Sequence, residues 1–316
     1  MPGGASTRRY FRVRTPSGTA VAMFVPDGAK PEEIAKESGV VTRWPFLEVR
    51  DLLASRDVDV PAIYGEDTER GWLLLEDLGD ATLSAFLSAH PHRKSDLYVR
   101  AVEDLARAQA ALAQLPAESI VASRAFDEEL LLWEIHHFRE WGLEARGVVL
   151  SAEDRALFDG IAMRLARRIA AWPRAFVHRD YQSRNLMVRP NGALCWIDFQ
   201  DALLGPRVYD LVALLNDSYQ VFARPFVEER LDDYARIAGL DRAARAALGA
   251  EFERVTVQRK LKDAGRFVFI DRVKGNPAFL KFVEPTIAKV RASLACLPHD
   301  EDMRDLASLL ARLLPK

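Results

Sequence analysis

His178-Arg-Asp-Tyr-Gln-Ser-Arg-Asn185 is a polar octet set between apolar runs, and Ile197-Asp-Phe199 returns an aspartate, Asp198, thirteen residues after Asn185. Upstream, Arg174-Ala-Phe-Val177 has the length and composition of a strand that delivers a loop. Downstream, Leu186-Met-Val-Arg189 and Ala193-Leu-Cys-Trp-Ile197 flank Pro190-Asn-Gly192. Asn-Gly between apolar runs is the strongest short-range hairpin signal, because both residues tolerate the positive φ that a tight turn needs. A hairpin here folds the chain back and brings Asn185 to Asp198. The stretch reads as strand, polar loop and hairpin, with Asp180, Asn185 and Asp198 gathered as one site.

Outward from this stretch the texture changes twice. Towards the N-terminus, Arg9-Tyr-Phe-Arg-Val-Arg14 and Thr19-Ala-Val-Ala-Met-Phe-Val25 read as strands joined by Thr15-Pro-Ser-Gly18. Val60-Pro-Ala-Ile-Tyr64 and Gly71-Trp-Leu-Leu-Leu-Glu76 read as two more, around the polar turn from Gly65 to Arg70. Pro31–Lys36 and Pro45–Ser55 each open with a proline suited to a first helical turn. Asp77-Leu-Gly-Asp80 is a linker with a glycine hinge. Beyond it helical periodicity dominates, over Ser95–Leu115, Asp127–Trp141, Ala152–Trp172 and several segments from Tyr209 to Leu314, with the hairpin as the one β island. The expected fold is α+β with two lobes: residues 1–79 form a small β-sheet N-lobe with the hinge, and residues 80–316 a large, mainly helical C-lobe.

Composition bounds the function. With 316 residues, 49% of them hydrophobic and 28% charged, the chain is long enough for two lobes and is expected to fold. Its net charge of −2 supplies no bulk field for nucleic acid or an anionic membrane. No apolar run approaches membrane-spanning length and no signal-peptide core opens the chain, so the cytoplasm is the expected location. Cys195 and Cys296 each lie in an apolar stretch without a C-x-x-C pattern, and are expected to be buried thiols. No nucleic-acid, membrane or obligate protein partner is expected.

The octet and its following aspartate resemble the H-R-D-x-x-x-x-N and D-F elements of the protein-kinase catalytic core. The resemblance implies a protein-kinase-like fold and phosphoryl transfer with ATP and Mg²⁺ as cofactors. That chemistry needs a carboxylate to orient and deprotonate an attacking hydroxyl, and hard oxygen ligands to hold Mg²⁺ on the triphosphate. Asp180 is then the catalytic base, and Asn185 and Asp198 are the metal ligands. The bland alternative, a polar helix–strand connection, does not explain why these residue types stand at this spacing.

Residues Phe176 to Tyr219 resemble, more narrowly, the aminoglycoside phosphotransferase and choline kinase branch of that superfamily. Gln200 follows Asp198-Phe199 where the glycine of D-F-G would stand, and Gly205-Pro-Arg-Val-Tyr-Asp-Leu211 replaces a long activation segment. A protein substrate docks on that segment, so the resemblance implies a small-molecule acceptor. A still narrower resemblance covers most of the chain. Ala5-Ser-Thr-Arg-Arg-Tyr-Phe-Arg-Val13, Leu73-Leu-Leu-Glu-Asp-Leu-Gly79, His178–Met187, Ile197–Ala202 and Gln258-Arg-Lys-Leu-Lys-Asp-Ala-Gly-Arg266 look like the bacterial N-acetylmuramate/N-acetylglucosamine anomeric kinases of peptidoglycan recycling. It implies phosphorylation of the C1 hydroxyl of an N-acetyl amino sugar. The rivals are an aminoglycoside phosphotransferase, whose polycationic acceptor should demand clustered carboxylates, and a nucleotide-binding pseudokinase.

Candidates around the core follow from position. Gly3 to Thr7 is read as a reduced phosphate loop, with Ser6 and Thr7 as nucleotide-binding residues. Glu76 and Leu78, in the linker, are placed against adenine. Kinases carry a strand lysine on the α/β-phosphates, but the comparable strand reads Val21-Ala22-Met23-Phe24. Another cation must anchor the phosphates: Arg9 is the first choice, with Arg12, Lys30 and Lys36 as alternatives. Arg184, beside Asn185, is placed on substrate or on the transferring phosphoryl group. Trp133, His137 and Trp141 fall at i, i+4 and i+8 on one helical face, and Trp133 and His137 are candidates to pack a sugar. Asp210, near a helix start, is expected to brace the catalytic loop or cap the helix.

Overall fold

The computed structural model describes residues 8–16, 18–26 and 43–314. The fold is α+β, with a small N-terminal β-sheet lobe and a larger, mostly helical C-terminal lobe, as in protein kinases. The helix expected over Pro31–Lys36 lies outside the described residues, as do Ser6, Thr7, Lys30 and Lys36.

The chain divides into two compact units that are not consecutive pieces of it: one runs to Lys94 and also takes Arg184–Asp201, and the other holds Ser95–Ser183 and everything from Ala202. In the first unit, β1 (Arg9–Thr15), β2 (Gly18–Phe24), β3 (Ile63–Asp67) and β4 (Trp72–Glu76) form an antiparallel sheet in the order β1-β2-β4-β3. Alternation buries Val21 and Met23 of β2 with Leu75 and Leu73 of β4, which stand opposite them in register. The third strand starts later than the expected Val60, because Pro61 has no N–H for a ladder. Helix α1 (Pro45–Ala54) opens on its proline and buries Phe46, Leu47, Val49 and Leu53. Helix α2 (Leu83–Ala89) is capped by Thr82, whose hydroxyl accepts the Ala85 N–H.

The second unit begins with α3 (Lys94–Ala111), α4 (Glu128–His137) and α5 (Ala152–Ala170). The helix expected to reach Trp141 changes at Phe138 into a π-helical segment, Phe138–Leu143. The distortion lies against Gly265, where a Cβ would stand 2.6 Å from the His137 carbonyl oxygen, so only glycine permits the approach. Next comes β5 (Arg174–Val177). The hairpin β6 (Leu186–Val188) and β7 (Leu194–Trp196) belongs to the first unit, and β8 (Leu203–Pro206) returns to pair with β5 as a further β element that the periodicity did not show. The rest is helical: α6 (Tyr209–Leu215), α7 (Arg224–Ile237), α8 (Arg242–Lys274), α9 (Val283–Ala295) and α10 (Glu301–Leu313). Helix α8, 33 residues long, is central to this unit and packs on α4, α5, α6, α7 and α9. Cys195 is buried as expected, but Cys296, at the C-terminal cap of α9, is exposed. Among the described residues no helix is long and apolar enough to cross a membrane.

Candidate active site

Asp180 stands in a loop that the second unit holds from several sides. Phe176 and Val177 bury the strand that enters it. Asp210, at the start of α6, accepts the backbone N–H groups of His178 at 2.6 Å and Arg179 at 3.0 Å, so the bracing expected of it is what the structure shows. Burial pushes the Asp210 carboxyl up to about 7, against those two donors and Arg259. Tyr181 donates to the Ala101 carbonyl at 2.8 Å, and Ser183 donates through N–H and hydroxyl to the buried carboxylate of Asp217. The backbone of Arg179 is left-handed, with φ 79°. Such a conformation costs about 1–3 kcal/mol and persists where its surroundings over-determine it. Here the Arg179 side chain pairs with Glu134 of α4 at 3.3 Å, and its carbonyl accepts from Arg259 at 2.6 Å.

Arg259 decides the charge of this loop. It projects from α8, only 2% of its side chain is exposed, and its other nitrogen donates to Asp180 Oδ1 at 3.0 Å. The Tyr209 ring lies beneath its guanidinium, 4.7 Å to the centroid. Partial burial would raise the Asp180 carboxyl, but Arg259, Lys262 and Arg179 outweigh it and hold it below the usual carboxylate range. The Asp180 side chain keeps 40% of its surface accessible, so one face remains open to a hydroxyl. Lys260 does not join this group: it is buried on Ser218 and Asp263.

Asn185 and Asp198 meet in the first unit, as the hairpin requires. Leu186 pairs with Trp196 and Val188 with Leu194, Gly192 takes φ 81° in the turn, and the Ile197 N–H closes on the Asn185 carbonyl at 3.0 Å. The Asn185 amide then lies 3.5 Å from Asp198 Oδ2. Asp198 has φ 65° and 45% of its side chain exposed, while the following Phe199 is fully buried 5.0 Å from the Phe46 ring. Gln200, which replaces the glycine of D-F-G, donates to Asp198 Oδ1 at 3.1 Å. Among the described residues no cluster of three or more His, Cys, Asp or Glu forms a metal cage. The Asn185 amide and the Asp198 carboxylate offer instead the hard oxygen donors that suit Mg²⁺, which is typically held by one or two carboxylates plus substrate phosphates.

The other candidates divide. Glu76 is committed to Arg189 of the hairpin, at 2.6 and 3.1 Å, and to the Ala62 N–H at 3.1 Å, and Leu78 follows in the linker, half-buried. Arg12 pairs with Asp77 at 2.8 Å and Asp80 at 3.0 Å. Arg9 is exposed on β1. Arg8, which the sequence reading passed over, lies 3.7 Å from Asp198 Oδ1 and hydrogen-bonds Tyr10. Alternation sets positions 8, 10 and 12 together and 9 apart, and Arg8 immediately precedes β1. Trp133, His137 and Trp141 do form one aromatic stripe, at 5.5 and 6.3 Å between successive rings, and Phe269 of α8 joins it. His137 is buried in that stripe, and Arg184 is exposed.

The sequence model of the phosphotransferase enzyme family matches residues 1–248. The chain belongs to that family. It is 34% identical to the N-acetylmuramate/N-acetylglucosamine kinase of Pseudomonas putida over 98% of this chain and 86% of that one. The protein of the same name from Neisseria meningitidis is also 34% identical, over 95% and 90%. A choline kinase from Streptococcus pneumoniae shares the fold at 16% identity, with a TM-score of 0.61 over 93% of this chain and 92% of its own. An ADP-bound aminoglycoside phosphotransferase does so at 14% identity and a TM-score of 0.56, over 89% and 92%.

Proposed function

We propose that this phosphotransferase moves the γ-phosphoryl group of ATP to the C1 hydroxyl of N-acetylmuramate or N-acetylglucosamine, with Mg²⁺. The observation that carries the choice of acceptor is the charge at Asp180. Arg259, Lys262 and Arg179 together disfavour the polycationic acceptor of an aminoglycoside phosphotransferase and suit a neutral or anionic sugar. The names of the relatives point to the same sugars.

In this reading Asp180 accepts the hydrogen bond of the sugar hydroxyl and takes its proton as the oxygen attacks phosphorus. A carboxylate held ionised is a weak base, so its larger contribution is orientation, which Arg259 fixes through its bond to Oδ1. Asn185 and Asp198 would hold Mg²⁺, which when bound neutralises charge on the triphosphate. Residues 76–78 carry adenine, and Trp133 with its neighbouring rings offers the sugar an apolar face. The measurement that tests the proposal is phosphorus NMR of reactions with ATP and each N-acetyl amino sugar. A sugar 1-phosphate should appear as ADP accumulates. A 6-phosphate, or turnover of aminoglycosides in place of amino sugars, would sink the assignment.

A further inference from the structure

We infer that Lys289 of α9 is a positioning residue for the catalytic loop, acting through Asp217. The inference rests on the phosphotransfer reading, in which Asp180 meets the acceptor, and does not depend on which sugar the acceptor is. Helix α6 grips the loop from both of its ends. In its first turn Asp210 takes the N–H groups of His178 and Arg179. Just past its C-terminal cap, Asn216, the carboxylate of Asp217 takes the N–H of Ser183 at 3.1 Å and the Ser183 hydroxyl. All of α6 is buried, as are Ser183 and Asp217. The loop from His178 to Ser183, with Asp180 inside it, is thus held at its start and its end by carboxylates on one short helix and its cap.

Asp210 is fixed by the helix itself. Asp217 lies in the turn after it, residues 216–220, which side chains of other helices hold in place. The Lys289 ammonium donates to the carbonyl oxygens of Asn216 at 3.4 Å, Gln220 at 2.9 Å and Asp217. Its three N–H groups thus meet three acceptors converging from one turn. From α8, Lys260 holds the Ser218 hydroxyl at 3.1 Å, and Thr256 accepts from the Asn216 amide at 3.1 Å. Within the turn the Tyr219 N–H bonds Asp217 Oδ1 at 2.9 Å, and Ser183 bonds Oδ2. Carbonyls at the C-terminal end of a helix carry partial negative charge, so a cation is the donor that suits this spot. Both lysines also lie in the field of the buried Asp217 carboxylate, and a buried charge is costly unless others compensate it. Lys289 holds the backbone at Asp217 and to either side of it, whereas Lys260 reaches one hydroxyl and divides itself with Asp263. Ser183 is three residues from Asp180, so a shift of Asp217 is passed to the base. Misplacement by about 1 Å can cost on the order of a hundredfold in rate.

Steady-state kinetics of the full chain with ATP, MgCl₂ and N-acetyl amino sugars, read beside melting temperatures, test the assignment. Lys289→Met should lower kcat about ten- to a hundredfold and leave KM for ATP within about twofold. Lys289→Arg keeps the charge and should recover part of kcat. Lys289→Gln, which keeps N–H donors without the charge, carries the comparison if the methionine variant does not fold. Asp217→Asn should lower kcat as well, and the double variant should lose far less than the product of the two single losses, since both break one chain of contacts. Losses that multiply overturn the assignment, as does a folded Lys289→Arg that recovers nothing. So does kcat kept in Lys289→Met beside a lower melting temperature, which would make the lysine structural only, or a KM for ATP that rises as far as kcat falls. If the wild type turns over no amino sugar, the sugar reading fails and the same variants are compared in ATP hydrolysis by water, where the loop has the same task. A wild type without either activity overturns the phosphotransfer reading and this inference together.

Discussion

The loop ending at Ser183 and the hairpin starting at Arg184 are consecutive in the chain and are built in opposite ways. Side-chain charge holds the loop: Asp210 and Asp217 take backbone N–H groups, Glu134 pairs with Arg179, and Arg259 bonds both the Arg179 carbonyl and Asp180. Backbone pairing and apolar burial hold the hairpin: Leu186, Leu194 and Trp196 are buried and Ile197 closes the ladder on Asn185. Each carries one left-handed residue other than glycine, Arg179 at φ 79° and Asp198 at φ 65°. In the proposed reading the difference follows the separate roles of the two carboxylates. Asp180 orients a hydroxyl from a loop fixed by cations. Asp198 would hold a metal ion from a carboxylate that Asn185, Gln200 and Arg8 face within the same unit.

The sharpest way to break that contrast is Asp180→Asn. The amide keeps the shape and an oxygen for Arg259, but it cannot take a proton. Turnover should fall by about 10²–10⁴-fold with ATP affinity nearly unchanged, read from steady-state kinetics beside ATP titration. Near-normal turnover would remove Asp180 from the chemistry and reduce the charged cradle around it to structural packing.

Arg259→Met is the next largest. Methionine fills much of the same buried space but donates to neither the Arg179 carbonyl nor Asp180. About ten- to a hundredfold should be lost from kcat, as the loop loses a charge-assisted bond on each of two oxygens. The pH profile separates positioning from packing. With the largest cationic influence gone, partial burial dominates and the Asp180 carboxyl rises, so the acid limb of kcat/KM should move to higher pH. An acid limb that stays in place while kcat falls would mean that Arg259 acts only by packing.

Much of this was legible in sequence, and the reason is locality. The strand, the loop and the Asn-Gly turn lie within one short stretch, so the meeting of Asn185 with Asp198 could be read from the hairpin alone. The helical texture of the larger unit was equally plain. What escaped were contacts between residues far apart in sequence: Arg259 reaches Asp180 across 79 positions and Glu134 reaches Arg179 across 45. Periodicity also carried the helix past His137, because nothing local announces that Gly265 of another helix will press on the His137 carbonyl. Arg8 was missed for a different reason. The neighbouring Arg9 offers the same charge, and only the side of the strand separates the two.

The smallest expected effect belongs to Arg189, the hairpin's counterpart of Arg259. It ties the hairpin to Asp59, at 2.6 and 2.8 Å, and to Glu76, and its side chain is 25% exposed. Water reaches the pair, so Arg189→Met should cost only about 1 kcal/mol of stability, and kcat should be unchanged within error. The sign with pH is fixed by Glu76, whose carboxyl the Arg189 hydrogen bonds hold below the ordinary range against partial burial. A depressed carboxyl stabilises the fold above the pKa of the unfolded chain, and that stabilisation is lost as pH falls through the folded value. Melting temperatures of wild type and Arg189→Met should therefore differ near neutral pH and converge in acid. If instead Arg189→Met lowered kcat as far as Arg259→Met, the hairpin too would depend on a fixed charge, and the contrast between the two segments would fail.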